Sequence, residues 1–328
     1  MRFIFFTNSL MKFKLLTLIV LLTTISLNAT ISNDSLALKK DSISHWTKAN
    51  KVRLIFTQNS FVNWSAGGNN SIAGIVKINI SKNYKNNHTT WFNELKTNYG
   101  LNKEEKRELR KTEDLLEVNS TFGYRQNTNS NWYYSAKFNF KTQYTNGYKY
   151  PNTDKPISKF FAPAYLFLGV GTEYAVKESN FKLYLSPVTN KTTFVFNQRL
   201  ADEGAFGVKK ASYDIDGNLI SEGEKTKIEF GMLATGEWKS EVMKNIQMAN
   251  KLILYSDYLN NYGNIDIDWE INFDLTINKY VTANVGSHFL FDDDVKHKED
   301  VNNDGTLDIL GPKIQIKQVL GVGFIYNF

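Results

Sequence analysis

At 328 residues without a cysteine, the chain is long enough for one large domain or two ordinary ones, and it can hold neither a disulfide nor a thiolate-metal framework. Seventeen tyrosines and 23 phenylalanines against five prolines favour many strands over a helical bundle, because aromatic rings fit a pleated surface. The formal charge of +6 falls to +3 once Arg2, Lys12 and Lys14 near the N-terminus are set aside, too small an excess to point to nucleic acid.

From Met11 the chain reads MKFKLLTLIVLLTTISLNAT: two lysines, an apolar run from Leu15 to Leu22, then small and polar residues around Ala29. That order of regions predicts a secretory signal peptide over 1–29, with 1–10 as an upstream start extension. The apolar run falls short of the roughly 20 residues that span a bilayer as a helix. Residues 30–50 are polar and aperiodic, and are expected to form a periplasmic leader. No later apolar stretch suffices for a transmembrane helix. A chain exported this way is either soluble beyond the inner membrane or inserted as a closed barrel, since backbone groups in lipid must all find partners.

From Lys51 onward the period is two. In NWYYSAKFNFKTQY, Trp132, Tyr134, Ala136, Phe138 and Phe140 share one face, and Ser135, Lys137, Asn139 and Lys141 the other. In NIDIDWEINFDLTIN, Ile267, Trp269, Ile271, Phe273 and Leu275 oppose Asp266, Asp268, Glu270, Asn272 and Asp274. The closing VLGVGFIYNF repeats the pattern. The spacing predicts twelve strands, at 51–62, 72–84, 88–101, 112–126, 130–145, 160–176, 180–197, 226–238, 242–256, 263–277, 280–291 and 313–328. Their connections alternate between tiny and long. Short periplasmic turns and long outer loops are the habit of an outer-membrane barrel. The expected fold is therefore all-β, an antiparallel closed transmembrane barrel over 51–328 with about 12 strands, in a range of about 10–14. Ser186-Pro187 inside one strand predicts a break or bulge. The stretch 205–220 reads as a hairpin turning at Asp216-Gly217, placed in an outer loop, although inclusion in the wall would raise the count to fourteen.

Several stretches carry a more specific likeness. NWSAGG (63–68), RKTED (110–114), YYSAKFNFKTQYTNGYKYPN (133–152), ISKFFAPAYLFLGVG (157–171) and GAFGV (204–208) make the chain, over about 46–328, similar to an uncharacterised outer-membrane β-barrel family of Bacteroidota, a domain of unknown function. The resemblance implies the barrel and the outer-membrane address, and it carries no catalytic residue.

If the apolar face meets lipid, Asp266, Asp268, Glu270 and Asp274 point into the lumen, and so do Lys137, Lys141, Lys227, Lys313, Lys317 and Arg125, with His288 beside the acidic row. Charges removed from bulk water must pair or stay wet. They read either as an ion-paired filling or as the lining of a narrow aqueous path. DVNNDGTLD (300–308) sets Asp300, Asn302, Asp304 and Asp308 at calcium-loop positions 1, 3, 5 and 9, but Gly311 stands where the terminal bidentate glutamate belongs. It reads as a polar hairpin tip or as a structural calcium loop, and no other cofactor is expected. LNKEEKRELRKTEDLL (101–116) has charges at helical spacing, suited to a solvated amphipathic turn or, through Lys103, Lys106, Arg107, Arg110 and Lys111, to lipopolysaccharide phosphate. Ser287 and His288 are adjacent on a strand and face opposite ways, so they form no nucleophile-base pair. The expected function is a passive channel or uptake component for small polar solutes. A non-conducting structural or surface-binding barrel is the alternative, and a barrel enzyme acting on lipid the third reading. Expected partners are outer-membrane lipid, lipopolysaccharide and the barrel assembly machinery, with the chain itself a monomer.

Overall fold

A computed structural model describes residues 44–60, 69–176, 180–260, 262–293, 295–299 and 308–328. The expected signal peptide, most of the leader, the NWSAGG turn and the 300–307 part of the calcium-loop motif lie outside the described residues.

In chain order the strands are β1 (Trp46–Asn59), β2 (Ser71–Lys85), β3 (Thr89–Glu104), β4 (Arg110–Tyr124), β5 (Trp132–Thr142), β6 (Ala164–Val176), β7 (Phe181–Phe194), β8 (Ser212–Tyr213), β9 (Leu219–Ser221), β10 (Thr226–Met243), β11 (Ile246–Asp257), β12 (Asp266–Thr276), β13 (Val281–Phe291), β14 (Lys296–Glu299), β15 (Asp308–Pro312) and β16 (Gln315–Asn327). Twelve of them close into one antiparallel barrel in the order β1-β16-β13-β12-β11-β10-β7-β6-β5-β4-β3-β2, while β8-β9 and β14-β15 form separate hairpins. The hairpin over 205–220 therefore stays out of the wall, and twelve, not fourteen, is the count. Each wall strand overlaps a predicted one. The largest shifts are at β1, which starts inside the stretch read as leader, and at the hairpin of β10 and β11, whose turn falls at 244–245 rather than 239–241; β6 starts later than expected because 143–163 is a folded loop.

The ladder closes on the chain's last residues. Lys51 opposes Asn327 and Phe56 opposes Val322 in a continuous register, and the Phe328 amide donates to the Asn50 carbonyl at 3.1 Å. The glycines among those last residues have a steric reason. A Cβ on Gly323 would lie 2.1 Å from the Leu54 carbonyl oxygen, and one on Gly321 would lie 2.3 Å from the Ile55 side chain. The start of β1 and the end of β16 lie on the rim of the short turns at 86–88, 125–131, 244–245 and 277–280; the opposite rim carries the long connections.

The bulge expected at Pro187 is present and disturbs both neighbours. The register slips between Val170 and Thr172 against β6, and between Gly231 and Leu233 against β10. Ser186 bridges the gap, its one hydroxyl hydrogen within reach of the carbonyls of Val170 (2.8 Å) and Val188 (2.9 Å), so a side chain stands in for the ladder bond that proline cannot make.

On the long-loop rim, 195–225 folds into a small body of its own. A short helix α1 (Gln198–Asp202) starts at Asn197, whose side-chain oxygen accepts from the Leu200 amide. Leu200, Ala201, Val195, Val208 and Ala162 are buried together, so this loop and 143–163 share a core. The Asp202 carboxylate accepts from the Gly223 amide (2.8 Å) and from Gln198 (2.7 Å). Those bonds, the backbone one first, hold its pKa below the ordinary aspartate value. The helical spacing of 101–116 does not produce a helix: β3 runs to Glu104, β4 begins at Arg110, and Arg107 pairs with Glu104 at 2.7 Å across the turn.

Gly323→Ala should therefore destabilise the closing seam by about 1–3 kcal/mol, the usual cost of overpacking. A lowered midpoint for the heat-dependent change in gel mobility is the expected result, with Gly236→Ala, where an added Cβ meets nothing within 4 Å, as the unaffected control.

Candidate functional site in the barrel interior

The acidic row of β12 lies on the inner face, and its three aspartates meet different partners. Asp274 takes a bidentate grip from Arg53 of β1, both contacts at 2.7 Å, and also accepts from Asn284 at 2.7 Å. Asp268 meets His288 Nε2 at 2.7 Å and Lys141 Nζ at 3.5 Å. Asp266 meets Lys191 Nζ at 2.7 Å and accepts from the Asp293 amide at 3.1 Å. Glu270 has no hydrogen-bond or ion-pair partner among the described residues, although it sits opposite His288 in the β12–β13 register.

Several of these pairs cross the lumen. β5 and β12 are five places apart around a wall of twelve strands, and Lys141 nevertheless reaches Asp268. β4 and β11 are also five apart, and Lys251 reaches Glu117 at 3.7 Å. Lys317 of β16 pairs with Glu113 of β4. Around Glu117 the network continues to Lys96 at 3.9 Å and to the Asn139 amide at 2.9 Å. Lys137 points inward over the Tyr184 ring, 5.1 Å from its centre. Lys227 meets Glu229 on its own strand at 3.3 Å. Lys313 lies just before β16, exposed on the long-loop rim rather than in the wall. Arg125 also lies outside the wall, in a short turn, where it donates to the Asn87 carbonyl at 2.9 Å. Asp308 opens β15, and the other three residues of the calcium-loop motif fall outside the described residues.

Hydration differs along the axis. Near the long-loop rim, Lys191 and Glu229 keep only 6% and 2% side-chain exposure, with Asp266 completing the layer. Further in, Lys141, Asp268 and His288 keep 34%, 24% and 24%. Lys191 and Glu229 are dry, whereas Asp266, at 22%, is nearly as exposed as Asp268 and His288. Ser287 opposes Gln318 while His288 opposes Lys317, so the Ser287 hydroxyl lies on the other face from the imidazole.

Arg53, Lys191, Glu229, Glu117 and Lys251 complete the network and were not singled out from the sequence. Plain alternation puts Arg53 and Glu117 on the inner face and could have found them. Lys191 is a different case. Counting by twos from the inward Tyr184 puts it outside, and the extra residue at the Pro187 bulge turns it in.

With the geometry in place, comparison with known proteins adds one partial match. Residues 56–148 match the family described as a protein of unknown function, DUF3078. The match runs from the end of β1 into the loop after β5. No curated protein matches the chain. Among solved structures, an outer membrane channel from Pseudomonas putida F1 is similar at 9% identity, over 90% of this chain and 100% of that one, with a TM-score of 0.38. The translocator domain of the autotransporter NalP from Neisseria meningitidis is similar at 10% identity over 88% and 90%, with a TM-score of 0.34. The NanC porin is similar at 11% over 84% and 98%, with a TM-score of 0.35.

Arg53→Ala strands the Asp274 carboxylate. The expected loss is about 2–3 kcal/mol in urea unfolding, below the roughly 3–5 of a fully buried pair because Asp274 keeps 31% exposure. Arg53→Met combined with Asp274→Leu should recover most of it, since an apolar pair leaves no charge unmatched.

Proposed function

We propose that the chain is an integral barrel of a bacterial outer membrane whose narrow, charge-lined interior passes small polar solutes. The observation that carries this reading is the segregation of the two wall faces. Outward, Phe56, Val170, Val188, Leu320 and Phe324 are each more than half exposed and belong to a band that continues around the barrel. Contiguous apolar surface of that extent is rarely left in water. Trp46, Tyr84 and Trp91 cluster at its short-turn edge, with Lys82 above the Trp46 ring at 4.7 Å, an arrangement suited to an interfacial aromatic belt. Inward, Lys141, Asp268 and His288 keep partial exposure, which suits a narrow polar path. Lipopolysaccharide around the wall and the barrel assembly machinery are the partners this reading implies.

A second reading, a non-conducting barrel acting through its outer loops, draws on the dry Lys191–Glu229 pair and on the packed core of 143–163 and 195–225. Planar bilayers separate the two. The purified full chain should give small conductance steps, and Asp266→Asn with Asp268→Asn should shift their selectivity toward anions. A bilayer that stays silent for both proteins would overturn the channel in favour of the loops, and recovery of the chain in the aqueous fraction after lysis would overturn the membrane address.

A further inference from the structure

We propose that Asp268, Glu270 and His288 form a binding site for a borderline divalent cation of the zinc class, and that this cation competes with Lys141 for Asp268. The proposal uses the partly exposed interior described above but not its capacity to conduct.

The strand geometry assembles the ligands. Asp268 and Glu270 are two apart on β12 and therefore share the inner face, and His288 on β13 is the direct cross-strand partner of Glu270. One ligand atom from each of the three lies within 4.8 Å of the others. Two carboxylate oxygens and one imidazole nitrogen on one side of an ion leave its remaining positions to water, a donor set that suits zinc and its neighbours better than calcium, which prefers oxygen throughout.

Charge supplies the second argument. Asp268 is matched by Lys141 and His288, whereas Glu270 has no cation at ion-pair distance among the described residues. Glu270, within 4.8 Å of the Asp268 carboxylate, is answered only at longer range, by Lys251, Lys141 and Lys77. A divalent ion bound there answers both carboxylates at once. It displaces the 3.5 Å Lys141 contact, the longer of the two that Asp268 makes, and so releases one of the pairs that cross the lumen.

The test is a calorimetric titration of the metal-free full chain, folded in detergent micelles, with zinc chloride and separately with calcium chloride. Zinc should bind at one site per chain and calcium should not compete. Glu270→Gln and His288→Ala should each weaken zinc at least about tenfold, with heat-dependent gel mobility confirming that each variant is folded. Lys141→Met should strengthen zinc about tenfold, because the competing charge is gone. That last result sets the site apart from a merely structural cluster, which would lose stability without gaining affinity. Absence of zinc binding, or binding unchanged in Glu270→Gln, overturns the proposal. Zinc binding with a silent bilayer overturns the channel and leaves the site standing.

Discussion

The pairing of β1 with β16 is the constraint on which the rest depends. An open ribbon of these strands would present two edges of unpaired amides and carbonyls, and it would have no inside. Once the last residues pair with Lys51 to Phe56, alternation acquires a physical meaning at every position: one side of each residue pair faces a shared interior, the other the surroundings. Gly321 and Gly323 let the seam close by omitting the Cβ atoms that would collide with β1. The aromatic and aliphatic residues opposite them continue the outer apolar band.

Closure also sets the electrostatic problem. Strands bring lysines and carboxylates from all around the wall into one confined space, where an unpaired charge costs several kcal/mol of lost hydration. Long side chains solve this by reaching across. Lys141 and Lys251 pair with carboxylates five strands away, which ties opposite walls together and narrows the lumen in the same step. Stability and constriction are thus two effects of one set of contacts. Where the pairs are dry, as at Lys191 and Glu229 on adjacent strands, they stiffen the wall; where they remain more exposed, as at Asp268 and His288, they leave room for a small ion to compete.

The two rims have different characters for a related reason. Short turns hold adjacent strands with few free residues, so little structure can accumulate there. The long connections have enough chain to bury side chains of their own, and Leu200, Ala201 and Val208 do so against Ala162 and Val195. The helix α1 has only five residues. It owes its existence to that packing and to the Asn197 cap rather than to any periodic signal, so pattern reading overlooks it. The opposite error occurs at 101–116, where helical charge spacing is overruled by the ladders of β3 and β4. Local propensity is a weak force beside a continuous row of backbone hydrogen bonds.

By itself the sequence determined the positions of the wall strands, the alternation of short and long connections, the inner placement of the β12 acids and the bulge at Pro187, and left twelve or fourteen strands for the structure to decide. Those features are local: period two, turn residues and a missing amide are legible within a few residues. What only the tertiary structure decided is which charges meet. Asp274 pairs with Arg53, 221 residues earlier in the chain, and Lys191 joins Asp266 because a single extra residue at the bulge reversed the face on which it lies. Pairing across a lumen depends on the order and register in which a barrel closes, and those are set by the sum of all its ladders, which no single stretch of sequence contains.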